Sequence, residues 1–220
     1  ARFYGDAEAD YAGRRVGAAG DMNGDGIDDI FITAYGDDSG GAGAGSVYLF
    51  HGPVTGDHML NNADAFVVGE NDGDHAGSDA AAAGDMNDDG YLDLVVGSPD
   101  QSDGGTGAGA AYLVTGPVDG TLAMENAHAR LLGRMSWDHA GNAVDGPGDV
   151  NGDGARDLLI GAYIEDSGGI NAGAAYLVHG PVTGTRYLHE AEAGFIGEAD
   201  GDLAGWSARG PGDVDGDGMN

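Results

Sequence analysis

Cysteine is absent from this 220-residue chain, which excludes a disulfide framework, a thiolate metal site and thiol catalysis. Lysine is absent as well: the 8 basic residues are all arginine, against 38 acidic ones, for a formal net charge of −30. A chain so poor in cations is not expected to bind nucleic acid, because phosphate recognition rests on Lys and Arg. No apolar run approaches the roughly 18–20 residues of a membrane span, so no membrane insertion is expected. The sequence opens at Ala1-Arg2 without Met or a signal-peptide pattern, and a targeting segment is expected to have been removed or not supplied. Large apolar side chains are scarce too. Leu, Ile, Val and Phe total 39 residues, about 18 %, and with this charge such a composition is often that of a disordered chain. Something beyond core area must help this one fold.

What the chain has is aspartate, 45 glycines and a repeat. DMNGDGIDD at Asp21–Asp29 recurs as DMNDDGYLD at Asp85–Asp93 and as DVNGDGARD at Asp149–Asp157, and a fourth copy opens at Asp213. Each start lies 64 residues after the last, and the same step relates Tyr48-Leu49, Tyr112-Leu113 and Tyr176-Leu177. It also relates the Gly-Pro-Val turns at Gly52, Gly116 and Gly180, and the Asp-x-Ala-Gly starts at Asp10, Asp74, Asp138 and Asp202. Such a period is the mark of a repeat architecture. One domain over 1–220 is expected, with repeats at about 4–67, 68–131, 132–195 and a truncated 196–220.

Within a period the pattern predicts an all-β fold. Short apolar runs follow each Asp-rich loop (Ile30-Phe31-Ile32, Leu94-Val95-Val96, Leu158-Leu159-Ile160), and a Gly-rich loop leads to a second strand such as Ser46 to Phe50. A third strand ends in Phe66-Val67-Val68 or its equivalents, and a weaker Ala-rich strand such as Ser78 to Ala83 precedes the next loop. Four short antiparallel strands with turn chemistry between them suit a β-propeller blade, with the small-residue strand innermost.

The Asp-rich loops have the composition of calcium loops. Calcium takes six to eight oxygens and tolerates irregular geometry. Side chains at positions 1, 3 and 5 converge as the loop curls, Gly at position 6 permits the sharp turn, position 7 offers its carbonyl and the Asp at position 9 closes the cage. The expected ligands are Asp21, Asn23, Asp25, Ile27 and Asp29 in the first loop and Asp85, Asn87, Asp89, Tyr91 and Asp93 in the second. The third would use Asp149, Asn151, Asp153, Ala155 and Asp157, and the incomplete fourth Asp213, Asp215, Asp217 and Met219. Position 12, where an EF-hand has Glu, is Ile32, Val96 or Ile160 and lies in a strand, so these are Ca2+ loops between strands. The competing reading is a set of metal-free Asx-turns. Three complete matches favour calcium, and clustered carboxylates would oppose folding without a cation. Calcium tenfold above a site's Kd would add about 1.4 kcal/mol of stability per site.

With these residues in place the chain resembles the FG-GAP repeats of the integrin alpha-subunit propeller and its bacterial relatives. The resemblance is carried by Phe195-Ile196-Gly197, Asp202-Leu203-Ala204-Gly205, Gly212 to Gly218, Leu158 to Ala162 and Ala174 to Leu177. The Gly-Ala-Pro element departs from the pattern, reading Thr33-Ala34-Tyr35, Gly97-Ser98-Pro99 and Gly161-Ala162-Tyr163. The resemblance implies a seven-bladed propeller, calcium loops between the first and second strands on its lower face, extracellular or surface placement, and ligand binding by the opposite face. Seven repeats would need about 448 residues, whereas this chain holds about 3.4. The remainder of the ring is therefore expected from a longer chain or, as the runner-up, from another copy.

Other chemistry is thinner. His51 and His179 correspond across repeats but the middle copy has Thr115, and His75 and His139 correspond but the first copy has Tyr11, which reads as surface or strand-end positions rather than catalysis. Trp137 and Trp206 read as rim packing rather than as a sugar platform. No P-loop, Gly-x-Ser-x-Gly or His-Glu-x-x-His motif is present. The expected function is a calcium-binding extracellular or cell-surface (alternatively periplasmic) scaffold for adhesion or for a protein or glycan ligand, and not an enzyme. A propeller attached to a polysaccharide-acting or hydrolytic enzyme, and a structural subunit of a surface assembly, are the alternatives. The opposite face carries Asp37, Asp38, Asp100, Asp103, Glu165, Asp166 and other acids, which reads as solvated charge or as a steering surface for cationic partners.

Overall fold

A computed structural model describes residues 1–213. The first blade is formed by β2 (Ala12–Gly20), β3 (Asp29–Ala34), β4 (Ser46–Phe50) and β6 (Ala65–Val68). The second is β7 (Asp79–Gly84), β8 (Asp93–Ser98), β9 (Ala110–Val114) and β11 (Ala129–Leu132), and the third is β12 (Ala140–Gly148), β13 (Asp157–Ala162), β14 (Ala174–Val178) and β16 (Ala193–Ile196). Within each blade neighbouring strands are antiparallel. The first strands β2, β7 and β12 pack side by side, and the Ala-rich run Asp79–Gly84 permits that approach. The four-stranded blades match the sequence pattern.

A fifth strand does not follow from that pattern. After its third strand each repeat reaches back and adds a short parallel strand to the outer edge of the preceding blade: β10 (Gly120–Ala123) pairs with β6, and β15 (Gly184–Tyr187) with β11. In the same way β5 (Asp57–Met59) pairs with β1 (Arg2–Tyr4), whose register position is that of β6 and β11. Short 3-10 turns at Leu60–Asn62, Met124–Asn126 and Leu188–Glu190 follow these strands and bury Leu60, Met124 and Leu188 in the seams. Every seam is thus fastened by backbone hydrogen bonds as well as by side chains.

The apolar core lies in the seams. One cluster joins the first and second blades through Val47, Leu49, Val67, Leu94, Val96, Tyr112 and Met124, and another joins the second and third through Val95, Leu113, Leu131, Val144, Leu158, Ile160 and Leu188. A core divided into thin slabs needs few large side chains per slab.

Ionic contact supplements it at the inner strands. Asp79, fully buried at the start of β7, accepts from Arg15 Nε at 2.5 Å, from Val144 N at 3.0 Å and from Arg209 Nη2 at 3.1 Å. Its partners come from β2, from β12 and from the segment after β16, so one carboxylate ties four successive repeats together.

The Asp-rich loops (21–29, 85–93, 149–157) and the Gly-Pro turns lie at one end of the strands, the lower face. The loops between second and third strands (35–45, 99–109, 163–173) and the connections between blades (69–78, 133–139) lie at the other end, the upper face. The loops sit between first and second strands, as expected.

Candidate metal loops and the opposite face

Each Asp-rich loop is built by side chains bonding its own backbone. Asp21 Oδ1 accepts from Gly24 N at 2.7 Å and Asp25 N at 3.1 Å, and its Oδ2 from Gly26 N at 2.9 Å. Asn23 Oδ1 accepts from Asp25 N, and Asp25 Oδ1 from Ile27 N at 2.8 Å. Asp149, Asn151 and Asp153 repeat the scheme, and Asp85, Asn87 and Asp89 repeat all of it but the bond from position 4, where Asp88 replaces glycine. Gly26, Gly90 and Gly154 take φ of 86°, 91° and 94°, the left-handed backbone that position 6 requires. The hydrogen bonds from Ala155 and Asn151 hold the exposed Asp153 carboxyl below its usual value.

The residue at position 9 has a second task. Asp29, Asp93 and Asp157 are fully buried. Asp93 Oδ2 accepts from Met86 N at 2.7 Å and its Oδ1 from Gly116 N at 2.9 Å, and Asp29 bonds Met22 and Gly52, and Asp157 bonds Val150 and Gly180, in the same way. This carboxylate pins the loop to the Gly-Pro turn, while Met22 and Met86 carry loop position 2 into the seams. Burial pushes Asp93 up to about 6, with Asp89 and Asp85 adding to the rise and the two backbone N–H groups opposing it. Successive loops touch: Leu92 N donates to Asp21 O at 3.3 Å, and Leu92 lies so close to Gly20 that a Cβ there would overlap its Cδ1.

Among the described residues no three acidic or imidazole side chains converge on a common metal-binding point. The carboxylates at positions 1 and 5 instead accept from the loop's own N–H groups. Their chemistry nevertheless fits a hard cation. Positions 3 and 5 are oxygen donors open to solvent, exposed except for the half-buried Asn23, and the donor to the second oxygen of Asp25, Asp89 or Asp153 is the amide of Asn23, Asn87 or Asn151, which has an oxygen of its own to offer. Of the fourth set, Asp215, Asp217 and Met219 lie outside the described residues.

The upper face corrects the expectation of solvated charge. Asp10, Asp37, Asp74, Asp138 and Glu165 are buried. Asp37 accepts from Ser39 N, Ser46 Oγ and, at 2.6 Å, Tyr48 Oη; these bonds outweigh burial and hold its carboxyl below the ordinary value. Asp38, Asp103 and Asp166 are exposed as expected. Asp74 caps its loop by accepting from Asn71 at 3.1 Å, and Asp138 from Met135 N at 2.9 Å. Burial raises Asp138 to about 6, with Glu165 and Asp166 adding to it. His75 and His139 are not bare surface positions either: each bonds Asp100. Trp206 packs edge-on against Tyr163 at 4.6 Å while 58 % exposed, in keeping with rim packing.

Three blades treat one upper-face position differently. Tyr48 is covered by Phe66 with ring centroids 5.5 Å apart, and Tyr112 by the Arg130 guanidinium at 5.5 Å. Arg130 also bonds Glu70 at 2.9 Å and Asp103. Gly194 stands across from Tyr176, which lines an open cavity of about 390 Å3 with Met135, Asp138, Glu165, Leu188 and His189.

Comparison with known proteins gives the same architecture a family. The FG-GAP repeat profile matches residues 12–50 and 76–114, one period apart. Integrin alpha pat-2 of Caenorhabditis elegans is 32 % identical over 214 residues, covering 92 % of this chain and 17 % of that protein. Integrin alpha-5 of Xenopus laevis is 30 % identical over 75 % of this chain and 16 % of its own length, and human integrin alpha-IIb is 31 % identical over 74 % and 16 %. The chain spans about a sixth of the length of these relatives, and none of their names denotes an enzyme. Three blades of four antiparallel strands, loops at a 64-residue step and this similarity lead to one conclusion: the chain belongs to the FG-GAP repeat family of β-propellers and is related to integrin alpha subunits.

Proposed function

We propose that this chain is part of a calcium-binding, extracellular β-propeller that acts as a non-enzymatic adhesion or ligand-binding scaffold. The observation that carries the reading is the threefold recurrence of one loop geometry, with the same backbone N–H groups orienting the carboxylates at positions 1 and 5 and the amide at position 3. The residues that would hold calcium are Asp21, Asn23, Asp25, the Ile27 carbonyl and Asp29, with the sets beginning at Asp85 and Asp149. Bound calcium would supply positive charge among clustered carboxylates, and this chain's part is to orient the oxygens and keep the loops pinned to the sheet. Similarity to integrin alpha subunits supports surface placement and a protein or glycan ligand on the upper face. The rest of the ring would come from a longer chain or a second copy.

Calorimetry should detect about three calcium ions per chain, one per complete loop, and Asp89→Ala should remove one of them. No heat of binding at millimolar calcium would refute the metal reading. For the upper face, Asp38→Asn with Asp103→Asn should weaken capture of a cationic partner at low salt, since these exposed carboxylates would supply the attraction. Capture unchanged by the pair would remove electrostatic steering from the proposal.

A further inference from the structure

One upper-face seam carries an imidazole–carboxylate contact whose residues are replaced in the other repeats. Asp100, in the loop between β8 and β9, stands between two imidazoles: His75 Nδ1 lies 2.6 Å from its Oδ2, and His139 Nδ1 lies 3.1 Å from its Oδ1. His75 belongs to the connection into the second blade and His139 to the connection into the third. His139 Nδ1 is also 3.2 Å from the Pro99 carbonyl. Both histidines hold left-handed backbone, φ 53° and 52°, as Tyr11 and Leu203 do at the equivalent positions (54° and 56°), so the repeat's own loop presents both imidazoles in one orientation. One period earlier the place of Asp100 is taken by Gly36 and that of His75 by Tyr11, which stacks on Tyr35 at 4.9 Å. One period later Ile164 and Leu203 stand where Asp100 and His139 would be.

We infer that His75, Asp100 and His139 form a proton-sensitive clasp that fastens the seam between the second and third blades and loosens as pH rises. The groups facing it from the surrounding elements are Asp138 beside His139, the Tyr163 ring stacked on His139 at 5.6 Å, the Trp137 ring at 6.2 Å, and the Tyr35 ring edge-on to His75 at 5.7 Å. Ionised Asp138 favours the imidazolium and so works in the same direction as Asp100. The hydrogen bond to Asp100 holds His139 above the ordinary histidine value against the effect of burial, and the two histidines hold Asp100 below its own ordinary value despite burial. The native state therefore binds the His139 proton more tightly than the unfolded chain does. Stability from the clasp is complete below the unfolded value of about 6.5 and is lost as pH rises through the higher native value.

The clasp also joins two halves of an aromatic strip. Tyr11, Tyr35 and His75 run up to Asp100 from one side, and His139, Tyr163 and Trp206 lead away on the other. Proton release at His139 thus changes how the strip is held, whether or not that face binds a partner.

The test follows the histidine ring resonances of the whole chain from about pH 5 to 9 at fixed calcium, in the natural protein, His139→Gln and Asp100→Asn. The resonance absent from His139→Gln should titrate above the ordinary value in the natural protein and fall back toward it in Asp100→Asn. Amide exchange in 98–103 and 137–142, corrected for intrinsic rates, should lose protection measurably across that rise. Both variants should show a flatter course; should Asp100→Asn not fold, His139→Gln alone supplies it. A His139 that titrates at or below the ordinary value overturns the clasp. So does a loss of protection with the same pH course in His139→Gln as in the natural protein.

Discussion

On the lower face, Asp29, Asp93 and Asp157 accept from the same two backbone positions in three successive blades, whereas on the upper face the equivalent residues Asp37, Gln101 and Glu165 share only the bond from the backbone N–H two residues on and differ in their other partners. Asp37 receives a tyrosine hydroxyl and two serines, Gln101 receives Asp103 N and leaves its buried Nε2 without a partner, and Glu165 holds Ser167. The same sheet supports both ends. The difference therefore lies in what each end must do: lower-face loops close every blade by one scheme, while upper-face loops tolerate substitution and hold individual contacts. A repeat fold separates shared construction from particular function in this manner, because each blade interacts mainly with its neighbours.

Calcium removal should give the largest contrast between the faces. Each loop saturated a hundredfold above its Kd would add about 2.7 kcal/mol, so a chelator should lower the melting temperature by many degrees and disturb lower-face amides first. Superimposable melts would show that the hydrogen-bonded loops suffice without metal.

Next in size, Asp93→Ala should destabilise the metal-free chain by about 2–5 kcal/mol, because two buried N–H groups lose their acceptor. Asp89→Ala, exposed, should cost little in chelator and act only when calcium is present. Denaturant titrations of both variants, with and without chelator, separate the pin from the cage; equal losses in chelator would erase that distinction.

On the upper face, Arg130→Ala should cost about 1–3 kcal/mol, since Glu70 loses the guanidinium it shares with Tyr112. The third blade, with Gly194 at that position, provides the internal control: the same measurement on Gly194→Ala should move stability little, since the added Cβ meets Tyr176 at ordinary contact distance.

The smallest effect concerns pH. The native Asp138 carboxyl titrates near 6, above its ordinary value, so the native state holds that proton more tightly than the unfolded chain. Stability is accordingly lost as pH rises from about 4 to 6 and stays lost above. Asp138→Asn keeps an acceptor for Met135 N, and its stability should be flatter across that window, with a gain of about 1 kcal/mol at neutral pH. Urea titrations at pH 4, 6 and 7 check the sign.

Much of this was written in the chain. The 64-residue step, the turn glycines and the alternation of Asp-rich loop and short apolar run determined the blades and their strands, because turn chemistry and short apolar runs are local properties, while the face on which the Asp-rich loops lie was implied by the family resemblance. The oxygen-rich loops were legible for the same reason. The parallel strands β5, β10 and β15 were not: they are three or four residues of mixed character whose partner lies in another blade. Nor was the part played by Asp79, a lone acid at the head of an Ala-rich strand, since its meaning depends on Arg15 and Arg209 arriving from other repeats. His75 and His139 read as surface because their common partner, Asp100, is 25 and 39 residues away from them. Local spacing determined the loops and the blades. Which acids became buried pins, which seam gained a clasp and which tyrosine was left beside a cavity were decided only when the blades packed, because burial and charge pairing are properties of neighbours that the chain order does not put side by side.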